Sequence, residues 1–255
     1  MKEISRREFL IGAGAFSASF LLSKFFEISS VQAKVKPQKW PWPYEKLDPE
    51  KTAEIAYNEW YRIFCGGAVI SSIFSQLAEK IGEPYASFPI DAFIIMEGGV
   101  AGWGTICGSL NGAAVVANCI CGPRIAGLYD GHIIASNLMK WYSETELPIY
   151  VPKNPRANKK SIIKTVSESP LCHISVGKWM KASGHAYRSP ERRDRCARVT
   201  ASVAYELVKK LNTWKDGEYD EELEWYCPSD FGVTGQMNCM ECHGTEIPVA
   251  PQPKK

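Results

Sequence analysis

Residues 48–82 read DPEKTAEIAYNEWYRIFCGGAVISSIFSQLAEKIG, and the apolar positions Ile55, Trp60, Ile63, Phe64, Ile70, Phe74, Leu77 and Ile81 recur at helical spacing. Asp48 is a good N-cap and Pro49 suits the first helical turn, where its missing N–H costs nothing. The stripe runs to Gly82, with an interruption expected at Gly66-Gly67. Cys65 sits just before those glycines, where a backbone without side chains lets a bulky group approach closely.

Working outward, the same periodicity recurs. A helix is predicted from Ile106-Cys107-Gly108 through Val116, after a glycine-rich loop at Gly98–Gly104. A second runs from Ile125 to Tyr142, with Leu128, Ile133, Ile134, Leu138, Met139 and Trp141 available for the core. Ser169-Pro170-Leu171-Cys172-His173 opens a third, which continues through Trp179 and Met180. Ser189-Pro190 starts a fourth, whose buried face carries Cys196, Val199, Val203, Leu207 and Leu211. The arginines at 192, 193, 195 and 198 crowd its early turns and read as a solvated helix surface that also favours thiolate at Cys196. Residues 34–47, with three prolines and two tryptophans, read as an extended strap, and Pro148, Pro152 and Pro155 mark an extended connection. The fold class is mainly α: a cysteine-rich helical body over residues 34–212, followed by a small irregular segment over 213–255.

That last segment carries Cys239-Met240-Glu241-Cys242-His243. Two thiols at this spacing can each add to one vinyl group of a porphyrin, and the next histidine then ligates the iron, so haem c is expected here. At the other end, Ser5-Arg6-Arg7-Glu8-Phe9-Leu10 is a twin-arginine export signature, followed by a short, weakly apolar stretch. Val31-Gln32-Ala33 offers a cleavage site, so residues 1–33 read as a signal peptide and no stable membrane insertion is expected after its removal. Both ends point to the periplasm. They also imply two cofactors. Twin-arginine export carries chains already folded around a cofactor, whereas haem c is attached afterwards, so a second centre is expected in the body.

Composition narrows the rest. About 220 mature residues suit one domain with a full core. The net charge of +2 becomes +1 once residues 1–33, with four basic and three acidic side chains, are removed, which points to no nucleic-acid partner. Nine cysteines leave seven beyond the haem pair: Cys65, Cys107, Cys119, Cys121, Cys172, Cys196 and Cys227. Disulfides are the default in an oxidising compartment, but an odd remainder weakens a pure disulfide account, and a metal cluster is the alternative.

Residues 58–212 resemble the C_GCAxxG_C_C family of cysteine-rich helical proteins. The matching pieces are Cys65-Gly66-Gly67-Ala68, the Gly98–Gly104 loop with Cys107 to Ala114, Trp141-Tyr142, Ser169-Pro170-Leu171-Cys172-His173 and Arg195-Cys196-Ala197-Arg198. The chain departs from the family's Gly-Cys-Ala core by reading Cys-Gly-Gly-Ala at 65–68. With the leader in front and the haem motif behind, the whole chain resembles the split-Soret cytochromes c. That resemblance implies a homodimeric periplasmic electron-transfer protein with one c-type haem and one iron–sulfur centre, expected to be [2Fe–2S], in each subunit. It implies Cys65, Cys107, Cys172 and Cys196 as cluster ligands; Cys119 and Cys121, which flank one intervening residue, are the chain's own substitutes. It further implies a distal haem histidine supplied by the partner subunit.

The chain's own candidates for that ligand are His132 and His185, with His173 ranked last because it follows a cluster cysteine. Met180 and Met237 are the methionine alternatives, and Met240 is unsuitable inside the attachment loop. Six-coordinate iron suits an outer-sphere carrier that exchanges electrons with other periplasmic redox proteins. The runner-up is a haem-based reductase or peroxide-handling enzyme with an open axial site. Cys227 has no assigned role.

Overall fold

A computed structural model describes residues 39–157 and 162–220. The twin-arginine leader, the haem motif with Cys239, Cys242 and His243, and Cys227 lie outside the described residues. Within them the fold is mainly α, as predicted. The first helix, α1 (Pro49–Ile81), starts where expected: the Asp48 carboxylate accepts from the backbone N–H groups of Glu50 at 2.8 Å and Lys51 at 3.2 Å. Its interruption lies upstream of the expected place. Ile63 (φ −128°, ψ 17°) and Phe64 (φ 56°, ψ −159°) leave helical geometry, while Gly66 and Gly67 stay inside the helix.

Gly66 serves close approach rather than bending. The next helix, α2 (Gly108–Cys121), crosses α1 backbone to backbone. A Cβ on Gly66 would lie 2.4 Å from Met96 Cβ, and one on Gly112 would lie 2.4 Å from the Gly66 carbonyl oxygen. A 3₁₀ turn at Ile90–Ile95 and the loop after it deliver the chain to this crossing.

After α2 comes a short 3₁₀ turn at Arg124–Ala126, ended by left-handed Gly127, so α3 (Asp130–Glu144) begins later than the periodicity suggested. Two-residue strands β1 (Glu146–Leu147) and β2 (Thr165–Val166) then pair antiparallel, a ribbon too short to leave a sequence signal. The helices α4 (Cys172–Ser183) and α5 (Pro190–Lys215) follow. Ser189 caps α5 by accepting from the Arg192 N–H at 3.2 Å.

The helix α5 packs along α1, which also packs on α2, and α2 in turn on α3. Ile70, Ile73 and Phe74 of α1, Leu110 and Ile120 of α2, and Leu207 of α5 are fully buried in this seam. Each such side chain contributes ~1.5–3 kcal/mol. The strap before α1 lies on the body as expected. Trp42 is buried against Phe74, Tyr85 and Phe88, and Asn212 of α5 ties the strap down by bonding Tyr44 Oη at 2.8 Å and the Leu47 carbonyl at 2.9 Å. No helix among the described residues is long and apolar enough to cross a membrane.

Candidate metal centre

Four cysteines from four separate segments gather at one end of the α1–α2 crossing. Cys107 is the N-cap of α2 and Cys172 opens α4, and an isolated antiparallel bridge between Ile106 and Leu171 brings these two helix starts together. The Cys107 N–H donates to the Pro170 carbonyl at 2.8 Å and the Cys172 N–H to the Thr105 carbonyl at 2.7 Å. Two helix N-termini therefore bring their cysteines side by side. Cys65 packs on the same place: a Cβ on Gly108 would come 2.9 Å from its Cβ, so only glycine admits it. Cys196, on α5, is close enough to act electrostatically on both Cys65 and Cys172.

Burial, and then the neighbouring Cys107 and Cys196 groups, push the Cys65 thiol up to about 12. The Cys172 thiol is raised by burial and by the other three cysteines. Thiols so placed keep their protons unless a cation replaces them, which couples metal binding to proton release. None of the six described cysteines forms a disulfide. Among the described residues no three His, Cys, Asp or Glu groups converge on a single-ion site, so the four sulfurs are gathered more loosely than one ion requires.

The surroundings suit sulfur-bound iron, because several hydrogen-bond donors already face the thiols. The Trp60 Nε1–H donates to Cys65 Sγ at 3.3 Å, and the Gly98 N–H reaches the same sulfur from a residue with φ 53°, a conformation glycine adopts without strain. Ser109 Oγ lies 3.1 Å from Cys107 Sγ, and both atoms are buried. Arg195 neighbours Cys196 and Cys107, and its remaining bond holds Ser175 Oγ, which also accepts from the Tyr142 hydroxyl. Soft sulfur donors with N–H and O–H groups directed at them match the chemistry of an iron–sulfur centre, so the residues present fit that group.

Other sequence candidates fall elsewhere. Cys119 and Cys121 lie in the last turns of α2, about 18–21 Å along the axis from Cys107. Both thiols are buried on the Tyr44 and Tyr85 side, and burial pushes Cys119 up to about 11. They take no part in the gathering. His132 is exposed at the start of α3. His185 stacks on Trp179 and pairs with Glu191 at 3.7 Å, and His173 is exposed, with Nδ1 2.8 Å from the Gly104 carbonyl.

The arginine-rich start of α5 is solvated only in part: Arg193 is exposed and Arg192 half-buried, but Arg195 and Arg198 are each only 2% exposed. Buried Asp194 holds Arg198 at 2.8 Å, and Arg195 turns to the sulfurs. Trp60, Ser109, Arg195 and Tyr142 were missed as site residues. For Trp60 no sequence signal exists, because five residues along an unbroken helix would point it about 140° away from Cys65. The break at Ile63–Phe64 brings the two together.

Residues 65–211 match the model of a family described as putative redox-active protein (C_GCAxxG_C_C). Split-Soret cytochrome c of Desulfovibrio desulfuricans (strain ATCC 27774) is 32% identical over 259 residues, covering 95% of this chain and 88% of that one. A solved structure, reporting a novel iron centre in the split-Soret cytochrome c from that strain, superposes with a TM-score of 0.68 at 33% identity, over 84% of this chain and 86% of the other. The four-cysteine body, the fold around it and near full-length similarity agree: the chain belongs to the split-Soret cytochrome c family, with a body of the C_GCAxxG_C_C type.

Proposed function

We propose that the chain is a periplasmic electron carrier, exported by the twin-arginine route and working as a homodimer. Each subunit would hold one haem c on Cys239 and Cys242, with His243 as axial ligand, and one iron–sulfur cluster, [2Fe–2S], on Cys65, Cys107, Cys172 and Cys196. The observation that carries this is the gathering of four thiols among donors aimed at sulfur, in a chain that also has a haem-attachment motif. His132 or His185 of the partner subunit would complete the haem's axial pair; His132 is exposed and His185 half-buried against Trp179.

When bound, the two centres supply reversible one-electron chemistry. The protein's own part is to hold the ligands still. The helix starts at Cys107 and Cys172 are pinned by the Ile106–Leu171 bridge, and Trp60, Gly98 and Ser109 orient and shield the sulfurs. Rigid ligands keep reorganisation small between redox states, which is what an outer-sphere carrier needs.

The test is anaerobic purification with assays for haem, non-haem iron and acid-labile sulfide, followed by EPR. Labile sulfide and non-haem iron should accompany the haem and fall sharply in Cys107→Ser. Values near zero in the wild type would sink the cluster. Reduced protein should fail to bind carbon monoxide at neutral pH, whereas stoichiometric binding would reveal an open axial site and make the chain a haem enzyme.

A further inference from the structure

Arg195 poses a charge problem that the protein alone does not solve. It lies in the second turn of α5, 2% exposed. One terminal N–H donates to Ser175 Oγ at 2.7 Å, while the Nε–H has no partner. Among the described residues no carboxylate lies within 4.0 Å of it, because the neighbouring Asp194 is committed to Arg198, Tyr57 and Tyr61. The groups beside it that can carry negative charge are Tyr142, Cys196 and Cys107. A guanidinium is charged at every accessible pH, and a buried charge without a counterion is among the costliest features a fold can hold. None of the three is a carboxylate.

We propose that Arg195 is the resident countercharge of the four-cysteine centre, its guanidinium compensating the negative charge that thiolate-bound iron and sulfide bring into the interior. The proposal rests on the reading that Cys65, Cys107, Cys172 and Cys196 hold an iron–sulfur cluster. A four-thiolate cluster is anionic when oxidised and gains one further negative charge on reduction, and net charge is one of the quantities that set its potential. A fixed cation beside Cys196 and Cys107 therefore stabilises the reduced state more than the oxidised one and raises the potential. Trp60, Gly98 and Ser109 contribute only dipoles, and Arg192, whose Nη1–H donates to Cys196 Sγ at 3.9 Å, is partly open to solvent. Arg195 brings a whole charge into the same low-dielectric space, where charge acts most strongly. Its free Nε–H is the donor left over for sulfur. The role is tuning rather than catalysis, since Arg195 acts through the ligands.

The test compares wild type, Arg195→Gln and Arg195→Lys, purified anaerobically as full chains. Non-haem iron and labile sulfide are assayed in each, and cluster reduction is titrated with dithionite and mediators under EPR. Arg195→Gln should lower the midpoint so that the reduced fraction falls at least tenfold at a fixed potential, which for a one-electron couple is 59 mV. Arg195→Lys should stay within threefold of wild type. If Arg195→Gln loses its cluster while Arg195→Lys keeps one near the wild-type potential, the charge is again what matters. The proposal is overturned if Arg195→Gln retains a full cluster at an unshifted potential. It is overturned equally if both variants shift alike or lose iron alike, because shape would then be the cause. Iron and sulfide near zero in the wild type would remove the cluster reading itself, and the wild-type assay separates that failure from the others.

Discussion

At the residue scale, Asp194 shows how a buried charge is accommodated when the protein provides its own partners. Arg198 Nε–H donates to one carboxylate oxygen at 2.8 Å, and the hydroxyls of Tyr57 and Tyr61 donate to the other at 2.5 and 3.1 Å. Tyr57 Oη also accepts from the Arg156 backbone N–H at 2.8 Å, linking α1, the connection after α3 and α5 through one atom. Burial and the bond to Asp194 raise the Tyr57 phenol above its usual value, so it stays a donor at all ordinary pH. Tyr57→Phe keeps the ring and removes that atom. It should cost ~1–3 kcal/mol, read as a lower urea midpoint with an unchanged m value. No change in midpoint would mean that Asp194 and the Arg156 N–H find water instead. This network was not legible beforehand. A tyrosine at 57 and an aspartate at 194 are 137 positions apart, and no local pattern couples them.

At the scale of elements, the helices were legible and their joints were not. Caps such as Asp48-Pro49 and Ser189-Pro190 act within one turn, so the residues that decide them are adjacent in the chain. The break at Ile63–Phe64 is decided by what packs around it. Phe64 occupies a region of φ/ψ space that is almost reserved for glycine, and such strain persists only where surrounding contacts impose it. The glycine pair at 66–67 reads in the sequence as an interruption that admits a bulky group, whereas both lie within the helix and Gly66 admits the α2 backbone. That difference can be measured. Gly112→Ala gains helix propensity, yet its methyl would sit 2.4 Å from the Gly66 carbonyl oxygen, so the α1–α2 crossing must open. A net loss of about 1–3 kcal/mol in unfolding free energy is expected. Gly177→Ala, in α4 with nothing within 4 Å of the new methyl, should instead gain about 0.5–1 kcal/mol. If both substitutions stabilise alike by thermal melting, the crossing is looser than described.

At the scale of the whole molecule, the candidate centre draws one cysteine each from α1, the start of α2, the start of α4 and α5. The intervals along the chain are 42, 65 and 24 residues, so no short motif with metal-ligand spacing exists for periodicity or composition to find. The grouping was readable only through family resemblance, whereas the haem motif, with its thiols three positions apart, was readable directly. Long intervals also make the centre a cross-link. Stripping iron with a chelator under reducing conditions should free four segments together and speed proteolysis of the body. A tenfold rise in cleavage rate corresponds to ~1.4 kcal/mol less protection when opening is in fast equilibrium. Identical digestion of metal-free and metal-loaded chains would show that the helices hold without it.

The bridge between Ile106 and Leu171 gives this arrangement a direction in time. It pairs single residues 65 positions apart, so Cys107 meets Cys172 only when the start of α4 has come back to the start of α2. A newly made chain that stopped short of α4 would offer no such pair, and one that stopped short of α5 would lack Cys196. Loading of the centre would therefore be a checkpoint on the near-complete chain, and a truncated or misassembled molecule would identify itself by its colour.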